Sequence, residues 1–401
     1  MRDGWEIKKL GDLCEFQRGL TYTKTDEVEI SDNIVLRATN IDLSTNLLNL
    51  SELKYISDRV AVPDSKKVSK NSMMICTASG SKSHLGKVAY IDDDYGYAFG
   101  GFMGMITPKS ALLPRYLFHL MTSDAYKDFI GKVSDGANIN NLKFDDLRGF
   151  LVPLPSISEQ QRIVSILDQA FEGIATAKAN AEKNLKNARQ LFESYLNSVF
   201  SQRGEGWEDR TLDQVCVVER GSSPRPIKDY FTTEPDGVNW IKIGDTKEGD
   251  KYVYSTSQKI TPKGAKQSRS VKEGDFILTN SMSFGRPYIM NTTGYIHDGW
   301  FVLRLNNSID TDYFYYLLSS GLVQLQFARL AQGAIVKNIS GDLVKKAVLP
   351  IPPLTQQHDI ATKLLELSVE TQRLVSIYQK KMEALDALKK SILQKAFSGE
   401  L

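Results

Sequence analysis

The chain has 401 residues, of which 41% are hydrophobic and 24% are charged. These values are typical of a globular protein with two or three domains, each large enough to bury a core. The formal net charge of +2 excludes a field that would attract nucleic acid over the whole surface, so such contacts would have to come from local basic patches.

Cysteine usage and hydropathy indicate an intracellular protein. Three cysteines, Cys14, Cys76 and Cys216, are too few and too scattered for a disulfide framework or a zinc cluster, which favours a reducing compartment. Charged and polar residues follow Met1 directly. No window of the sequence approaches the roughly 18 apolar residues of a membrane span. We therefore expect a soluble, cytoplasmic chain.

The first part of the chain, residues 1–155, has the pattern of a mostly-β globular domain. Short β-branched and aromatic runs are separated by Gly, Asp and Asn, which predicts strands. The clearest strands lie at residues 34–37, 73–77 and 87–91, and a short helix is predicted at 114–120. Pro153 and Pro155 then predict a stiff, extended segment that leads into a different kind of structure.

One long helix is predicted over residues 156–202. Ser158 stands where an N-cap is wanted, with Gln161 three residues later as in a capping box. Apolar residues recur at steps of four and three, which is typical of a helix that packs on another helix. They are Ile163, Leu167, Ala170, Ile174, Ala177, Ala181, Ala188, Leu191 and Tyr195. Asn184 interrupts this stripe, and a polar residue there costs stability but fixes register and partner choice.

The second half of the chain repeats the first. Cys14 and Cys216 stand 202 positions apart (216 − 14), and the Arg-Gly pairs that follow them at Arg18 and Arg220 have the same spacing. Residues 203–352 therefore predict a second globular domain. Its predicted strands lie at residues 240–243, 275–279 and 286–290, and its short helix lies at 312–317.

The final segment, residues 353–401, predicts a second long helix with Thr355 as its N-cap. Its stripe consists of Ile360, Leu364, Leu367, Leu374, Tyr378, Leu385, Leu388 and Ile392. Ile360 follows Ile163 by 197 positions (360 − 163), so the helix itself is duplicated. We expect an α+β fold with two mostly-β globular domains joined by two long antiparallel helices as a coiled coil, with an internal pseudo-two-fold repeat.

The helices are expected to act as a spacer. A helix of about forty residues spans roughly 60 Å, and DNA half-sites on one face lie about 34 Å apart per turn, so the reach suffices. Stripe residues that the helix pair does not need could bind helices of other subunits. The residues proposed for spacing and subunit docking are Ile163, Leu167, Ile174, Leu191, Ile360, Leu364, Tyr378 and Leu388.

The sequence carries no signature of catalysis. The segment from Gly80 to Gly86 and Lys87 resembles a phosphate loop, but it has five intervening residues instead of four and lacks the Ser or Thr after the lysine. The Pro-Pro pair at residues 352–353 lacks the preceding Asp or Asn of a base-directed amino methyltransferase. Four dispersed histidines show no metal-ligand spacing. We expect no catalytic, cofactor-binding or metal-binding residue.

Each globular domain instead carries a basic, polar loop after a predicted strand. Hydroxyl and cationic donors beside glycines suit phosphates and base edges, although an ordinary solvated hairpin turn has the same composition. Arg37, Asn40 and Lys242 also follow a strand, and arginine matches guanine as asparagine matches adenine. The inferred DNA-binding residues are Arg37, Asn40, Ser81, Lys82, Ser83, Lys87, Lys242, Asn280, Ser283 and Arg286.

The chain resembles a DNA specificity subunit of a type I restriction-modification system. The resemblance covers essentially the whole chain and rests on features that occur twice in the same order. These are the Gly-Trp-Glu openings at 4–6 and 206–208, Leu10 and Leu212, the Arg-Gly pairs at 18–19 and 220–221, the Gly-Ala turns at 136–137 and 333–334, and the starts of the helices (Pro153, Pro155, Gln160, Ile163; Pro350, Pro352, Gln357, Ile360). The second helix departs at His358 and Asp359, which predicts a second docking face of different charge.

The resemblance implies two target recognition domains, at 1–155 and 203–352, that each read one half of a bipartite, asymmetric double-stranded DNA site. The helical segments at 156–202 and 353–401 would set the gap and dock two methyltransferase (modification) subunits, and restriction/translocase subunits would then join. S-adenosylmethionine, ATP and magnesium would belong to those partners, and this subunit would be non-catalytic. The family varies its recognition residues, so no base contact is carried over.

Two other functions stay open at this point. One is a coiled-coil protein-interaction scaffold without DNA binding, which the nearly neutral net charge favours. The other is a stand-alone DNA methyltransferase, which the missing motif disfavours.

Overall fold

The computed structural model describes residues 4–80, 84–135, 141–247, 249–280, 285–331 and 340–401. The chain forms two compact units, Met1–Glu182 with Lys380–Leu401 (unit 1) and Lys183–Gln379 (unit 2). Each unit therefore combines one globular part with segments of both long helices, whereas the sequence had suggested the helices as separate segments. The two Gly-Ala pairs of the resemblance lie outside the described residues.

The first half of the chain contains ten strands and five α-helices within its described residues. The strands are β1 (Glu6–Lys9), β2 (Cys14–Arg18), β3 (Glu27–Val28), β4 (Asn33–Leu36), β5 (Lys54–Ile56), β6 (Ser72–Cys76), β7 (Val88–Ile91), β8 (Ala98–Phe99), β9 (Met103–Pro108) and β10 (Leu151–Leu154). The helices are α1 (Leu10–Leu13), α2 (Pro114–Thr122), α3 (Asp124–Asp135), α4 (Phe144–Arg148) and α5 (Ile157–Ser201).

The second half repeats this order with two further strands and one further short helix, again counted over its described residues. The strands are β11 (Glu208–Thr211), β12 (Cys216–Arg220), β13 (Phe231–Thr232), β14 (Val238–Ile241), β15 (Tyr252–Val253), β16 (Gln258–Ile260), β17 (Arg269–Val271), β18 (Phe276–Thr279), β19 (Pro287–Met290), β20 (Gly294–Ile296), β21 (Trp300–Leu305) and β22 (Val348–Ile351). The helices are α6 (Leu212–Val215), α7 (Pro262–Ala265), α8 (Thr311–Ser319), α9 (Gly321–Ala331), α10 (Gly341–Val344) and α11 (Leu354–Ser398).

Each globular part contains two main sheets and a separate two-stranded ladder. In unit 1 the sheets have the strand orders β2-β9-β6-β7 and β3-β5-β4-β8, and β1 pairs with β10. In unit 2 the orders are β12-β21-β18-β19-β15 and β13-β16-β14-β20-β17, and β11 pairs with β22. Most neighbours are antiparallel, but the pairs β4–β8, β14–β20 and β15–β19 are parallel. Unit 2 therefore repeats the topology of unit 1 and adds one edge strand to each main sheet, β15 and β17.

Alternating side chains of one central strand separate two cores in unit 1. Met73 and Ile75 of β6 pack in the core that includes the long helices, whereas Met74 and Cys76 pack between the two sheets. All five residues of β6 are buried, because both faces of its sheet are covered. In unit 2, β18 divides its residues between two cores in the same way.

Each globular part packs on the start of one long helix and the end of the other. In unit 1, Ile163 and Leu167 of α5 share a core with Leu393 and Ala396 of α11. In unit 2, that position is taken by Ala361 and Leu364 of α11 and by Leu196 and Phe200 of α5. The two helix segments of each unit are therefore antiparallel.

A buried glutamine anchors the start of each long helix. The side-chain oxygen of Gln160 accepts a hydrogen bond from the Leu113 N–H at 2.8 Å. Its amide nitrogen donates to the backbone oxygens of Ala111 and Pro155, both at 3.0 Å. Gln357 repeats the arrangement with the Asp310 N–H and the carbonyls of Ser308 and Pro352. The Gln that carries the resemblance thus has a structural role.

The predicted N-caps Ser158 and Thr355 are wrong. The helices begin at Ile157 and Leu354, so both residues lie in the first turn. The hydroxyl of Ser156, just before α5, accepts a hydrogen bond from the Glu159 N–H at 3.3 Å. The first turn of each helix therefore already contains the predicted cap residue, and the buried glutamine in that turn holds it against the globular part.

The predicted stripe of α5 follows the buried face only as far as Ala181. Beyond it, Leu191 is 73% exposed and Tyr195 is also exposed. Leu196 and Phe200 pack instead, because a helix of 3.6 residues per turn drifts away from a strict 3.5-residue repeat. Of the other proposed docking residues, Ile163, Leu167, Ile174 and Leu364 are buried, Ile360 and Tyr378 are half-buried, and Leu388 is exposed.

A charged cluster joins α2 to α5 in unit 1. Asp168 of α5 accepts hydrogen bonds from Arg115 at 2.5 Å and from the Nε2 of His119 at 2.7 Å. Although partial burial acts to raise it, these hydrogen bonds lower the pKa of Asp168 to about 2. His119 is almost fully buried, and burial lowers its pKa.

Candidate nucleic-acid interface

A glycine allows two backbone segments to cross at one point in each unit. A Cβ at Gly19 would lie 2.0 Å from the carbonyl oxygen of Gly100, and a Cβ at Gly221 would lie 2.0 Å from that of His297. No larger residue fits at either position without moving backbone. The Arg-Gly pairs of the sequence therefore mark an equivalent place in the two units.

The segment that each glycine crosses is a tight turn before a central strand; we call residues 100–102 and 297–299 the crossed turns. The carbonyl oxygen of Phe102 accepts hydrogen bonds from the Thr77 N–H at 2.9 Å and the Ala78 N–H at 3.2 Å. The carbonyl oxygen of Gly299 accepts one from the Asn280 N–H at 2.9 Å. Both turns are thus held by the end of the neighbouring central strand, while their side chains differ.

A hollow of about 780 Å³ lies beside the crossed turn of unit 1. Its polar lining includes Lys24, Arg37, Thr39 and Ser79, and Phe102 forms part of its wall. Among its described lining residues, the one carboxylate is that of Glu27, which is 2.5 Å from the ammonium group of Lys54. Because that carboxylate is neutralised, Lys24 and Arg37 give the hollow a positive charge.

The backbone around Arg37 is fixed by Asn40. The side-chain oxygen of Asn40 accepts a hydrogen bond from the Arg37 N–H at 2.8 Å, and its amide donates to the carbonyls of Asn49 and Glu52. Asn40 is 2% exposed, so its amide is used inside the protein and is not presented to a base edge. Arg37 itself is exposed.

Unit 2 repeats this arrangement with a different cation. Asp245 accepts a hydrogen bond from the Lys242 N–H at 2.8 Å, and it also accepts from the N–H and the hydroxyl of Ser257. Lys242 is half-buried. In each unit, a cation after a strand, Arg37 or Lys242, thus has its backbone held by a residue three positions later, Asn40 or Asp245.

The crossed turn of unit 1 displays an aromatic ring. Phe102 is 74% exposed. Besides the two backbone bonds, its carbonyl accepts a hydrogen bond from the Thr77 hydroxyl at 3.0 Å. The Gly100 N–H donates to the carbonyl of Leu36 at 2.9 Å, which brings the turn to the strand end that carries Arg37. The backbone is thus fixed while the ring faces out.

The crossed turn of unit 2 displays a carboxylate. Asp298 accepts a hydrogen bond from the Ser223 hydroxyl at 3.0 Å and lies 3.5 Å from the guanidinium of Arg225, which is largely exposed. Partial burial acts to raise the pKa of Asp298, but the hydrogen bond from Ser223 and the nearby cation lower it. Asp298 is therefore an ionised acceptor beside an exposed guanidinium.

The remaining inferred DNA-binding residues lie in different surroundings. Lys87 and Arg286 are half-buried, and burial lowers the pKa of Lys87. Asn280 is 1% exposed, and its side-chain amide donates to the carbonyl of Asp298 at 2.6 Å. Ser81, Lys82, Ser83 and Ser283 lie outside the described residues. Asn280 therefore supports the crossed turn and does not present its amide to a ligand.

The cysteine thiols of both units are buried. Burial raises the pKa of the thiols of Cys14 and Cys216 to about 12, so neither is ready to act as a nucleophile. Among the described residues, no group of three or more His, Cys, Asp or Glu side chains could hold a metal ion. None of the helices in the described part of the chain is both long and apolar enough to cross a membrane.

Sequence reasoning missed the side chains of the crossed turns, Phe102 and Asp298. Phe102 follows Gly101 and Asp298 follows His297, and neither dipeptide is a recognised motif. A turn of three residues is also too short for a hydrophobic periodicity that would predict which side chain is exposed. The one available signal was the repeat itself. Aligning the two halves places Gly100, Gly101 and Phe102 against His297, Asp298 and Gly299, which is a difference inside a shared frame.

The sequence matches the family described as Type I restriction modification DNA specificity domain over residues 2–187 and 204–379. The StySPI specificity subunit, a type I restriction enzyme subunit from Salmonella potsdam, is 25% identical over 100% of this chain and 89% of its own length. The EcoKI specificity subunit from Escherichia coli (strain K12) is 24% identical over 100% of this chain and 89% of its own length.

Solved structures show the same fold. A chain in a structure described as the basis of complex assembly and conformational transition of the type I R-M system has a TM-score of 0.83 at 20% identity. It covers 100% of this chain and 99% of its own length. The HsdS subunit from Thermoanaerobacter tengcongensis has a TM-score of 0.62 at 20% identity and covers 100% of this chain and 98% of its own length. The predicted fold class is therefore confirmed.

Proposed function

Because the chain belongs to the type I restriction modification DNA specificity family, as its sequence features predicted, we propose that its two units read the two halves of one bipartite, asymmetric DNA site. The crossed turns carry this proposal. Both are held by the same backbone crossing, yet one displays Phe102 and the other displays Asp298. A shared frame with different side chains suits two readers of different base sequences.

The cations beside the crossed turns supply the contacts in this proposal. Arg37 in unit 1 and Lys242 in unit 2 stand at the same place after a strand, and each can bind guanine or a phosphate. The proposed DNA-binding residues also include Lys87, Arg286, Ser81, Lys82, Ser83 and Ser283. Asn40 and Asn280 are left out because their amides are bonded within the protein.

The long helices set the gap between the half-sites and dock two modification subunits in this proposal. Each helix has 45 residues, which corresponds to about 68 Å at 1.5 Å per residue. Exposed apolar side chains are available for docking on helix segments of unit 2, among them Leu191, Leu365, Val369 and Ile377. Leu388 provides another in unit 1.

Methylation and cleavage belong to the partners. Homologues of this chain are specificity subunits, which are non-catalytic. The modification subunits would bind S-adenosylmethionine, and the restriction/translocase subunits would bind ATP and magnesium. The assembly would act in the cytoplasm, where the DNA lies.

Selection from random DNA duplexes tests the proposal. The full chain is mixed with its modification subunits, and bound duplexes are separated by gel shift and sequenced. We expect a two-part motif with a fixed gap. Arg37→Ala should weaken DNA binding by roughly 5-fold or more, because a good base contact contributes about 1–3 kcal/mol. It should also relax the sequence preference in one half-site only.

Arg59→Ala is the matched control. Arg59 is an exposed arginine of the same unit that does not line the hollow. Its loss should leave the selected motif unchanged. If the wild-type chain selects no sequence at all, the chain is not a DNA reader and the scaffold function takes its place.

A further inference from the structure

We propose that Phe102 reads a thymine in the half-site bound by unit 1, with its ring packed on the thymine 5-methyl group. This inference rests on the proposed function and makes it more specific. Thymine is the base that presents a methyl group in the major groove, and a phenylalanine side chain is a suitable apolar partner for it.

The first support is the exposure of Phe102 on a fixed backbone. Phe102 is 74% exposed, although it directly precedes the buried residues that begin β9. Three hydrogen bonds from Thr77 and Ala78 hold its carbonyl at 2.9, 3.2 and 3.0 Å. An exposed aromatic on a fixed backbone loses little conformational freedom on binding, which favours a role in recognition over a role in packing.

The second support is the chemistry of the hollow that Phe102 borders. The Arg37 guanidinium and the Thr39 hydroxyl lie in the same lining and can donate hydrogen bonds. Thymine presents its O4 acceptor next to its methyl group. An apolar wall beside hydrogen-bond donors therefore matches the two features that thymine shows in the major groove.

The concave surroundings favour edge contact over insertion. An apolar side chain that wedges between base steps enters the stack and partly unstacks it. Phe102 instead forms one wall of a hollow of about 780 Å³, so its ring faces a group that enters the hollow from outside. A base edge with a methyl group fits that description.

The equivalent position of unit 2 provides an internal comparison. Gly299 stands where unit 1 has Phe102, and a Cβ there would lie 2.2 Å from the ring of His297. Unit 2 thus has no phenyl side chain at this position, and the imidazole of His297 lies there instead. A thymine contact of this type is therefore expected in one half-site and not in the other.

Single thymine-to-uracil replacements in the selected duplex test the proposal, because uracil lacks only the methyl group. Binding by the full chain with its modification subunits is measured for each duplex. We expect one thymine, in one half-site, at which uracil weakens binding by roughly 3- to 10-fold. Phe102→Ala should weaken binding to the thymine duplex by a similar factor and bind both duplexes equally.

Ile30→Ala is the matched control, because Ile30 is an apolar residue of unit 1 that is 81% exposed and does not line the hollow. It should keep the full uracil effect. The proposal is overturned if neither half-site contains a uracil-sensitive thymine, or if Phe102→Ala retains the effect. Sequence-selected binding by the wild-type chain would persist in either case, so these outcomes differ from a failure of the proposed function.

Discussion

Replacing Gln160, the buried residue that anchors the start of α5, should lower the free energy of unfolding of unit 1. Gln160 is fully buried and makes three hydrogen bonds to backbone groups of Leu113, Ala111 and Pro155. A buried hydrogen bond contributes about 1 kcal/mol net, so Gln160→Ala should lower the free energy of unfolding by about 3 kcal/mol. With a urea dependence of about 2 kcal/mol per molar, the midpoint should fall by roughly 1.5 M.

Urea unfolding followed by circular dichroism measures this change, and hydrogen exchange locates it. The Leu113 amide should exchange faster in Gln160→Ala, because it loses its acceptor. Gln161→Ala is the control, since Gln161 is exposed and its change should stay within about 0.5 kcal/mol. Equal midpoints for Gln160→Ala and Gln161→Ala would refute the anchor.

Three further predictions concern the crossing glycine, the charged cluster and the helices. Gly19→Ala should lower the free energy of unfolding by several kcal/mol, of the order expected when a core is overpacked. Gly173→Ala, where the added Cβ meets nothing within 4 Å, should instead stabilise α5 by about 0.5–1 kcal/mol. Thermal unfolding compares the two variants, and an unchanged stability of Gly19→Ala would contradict the backbone crossing. Because the pKa of Asp168 lies near 2, below its ordinary 3.8, its stabilisation is complete above pH 4 and is lost as the pH falls toward 2. This pH-dependent part of the stability is on the order of 1 kcal/mol after screening by solvent, and Asp168→Asn should remove it. Comparing the urea midpoints of the wild type and the variant at pH 4.5 and 2.5 measures the change. Inserting four residues after Ala177 should lengthen or misphase the gap of the recognised site, and an unchanged gap in selected duplexes would show that the helices do not set it.

The repeat and the long helices could be predicted from the sequence. Their signals are the duplicated spacing and the apolar periodicity of Ile163, Leu167 and Ile174, which depend only on local helix geometry. The strand at residues 73–77 was placed within one residue of β6, because its two-sided burial leaves an apolar run in the sequence.

The helix starts and the end of the stripe could not be predicted in the same way. Ser158 has the chemistry of an N-cap, but the tertiary hydrogen bonds of Gln160 determine where the first turn forms. Leu191 continues the heptad pattern, but the side chains that pack against the globular part of unit 2 are those of Leu196 and Phe200. Local pattern decides that a helix forms, whereas long-range contacts decide its register.

The candidate interface could be predicted only in part. Exposed Arg37 was identified from its place after a strand. Asn40 was predicted to contact a base, which is wrong, because its buried amide supports the backbone of Arg37. Phe102 and Asp298 escaped because an aromatic residue next to a buried strand is usually core, and an aspartate beside a glycine is usually a turn.

Sequencing the methylated positions in DNA from cells that express the chain with its partner subunits tests the central claim most directly. A second strain would carry the same chain with residues 1–155 exchanged for those of another family member. We predict a two-part asymmetric motif with a fixed gap, of which the exchange alters one part and leaves the other part unchanged. A single continuous motif, or a change in both parts after the exchange, would contradict two independent readers.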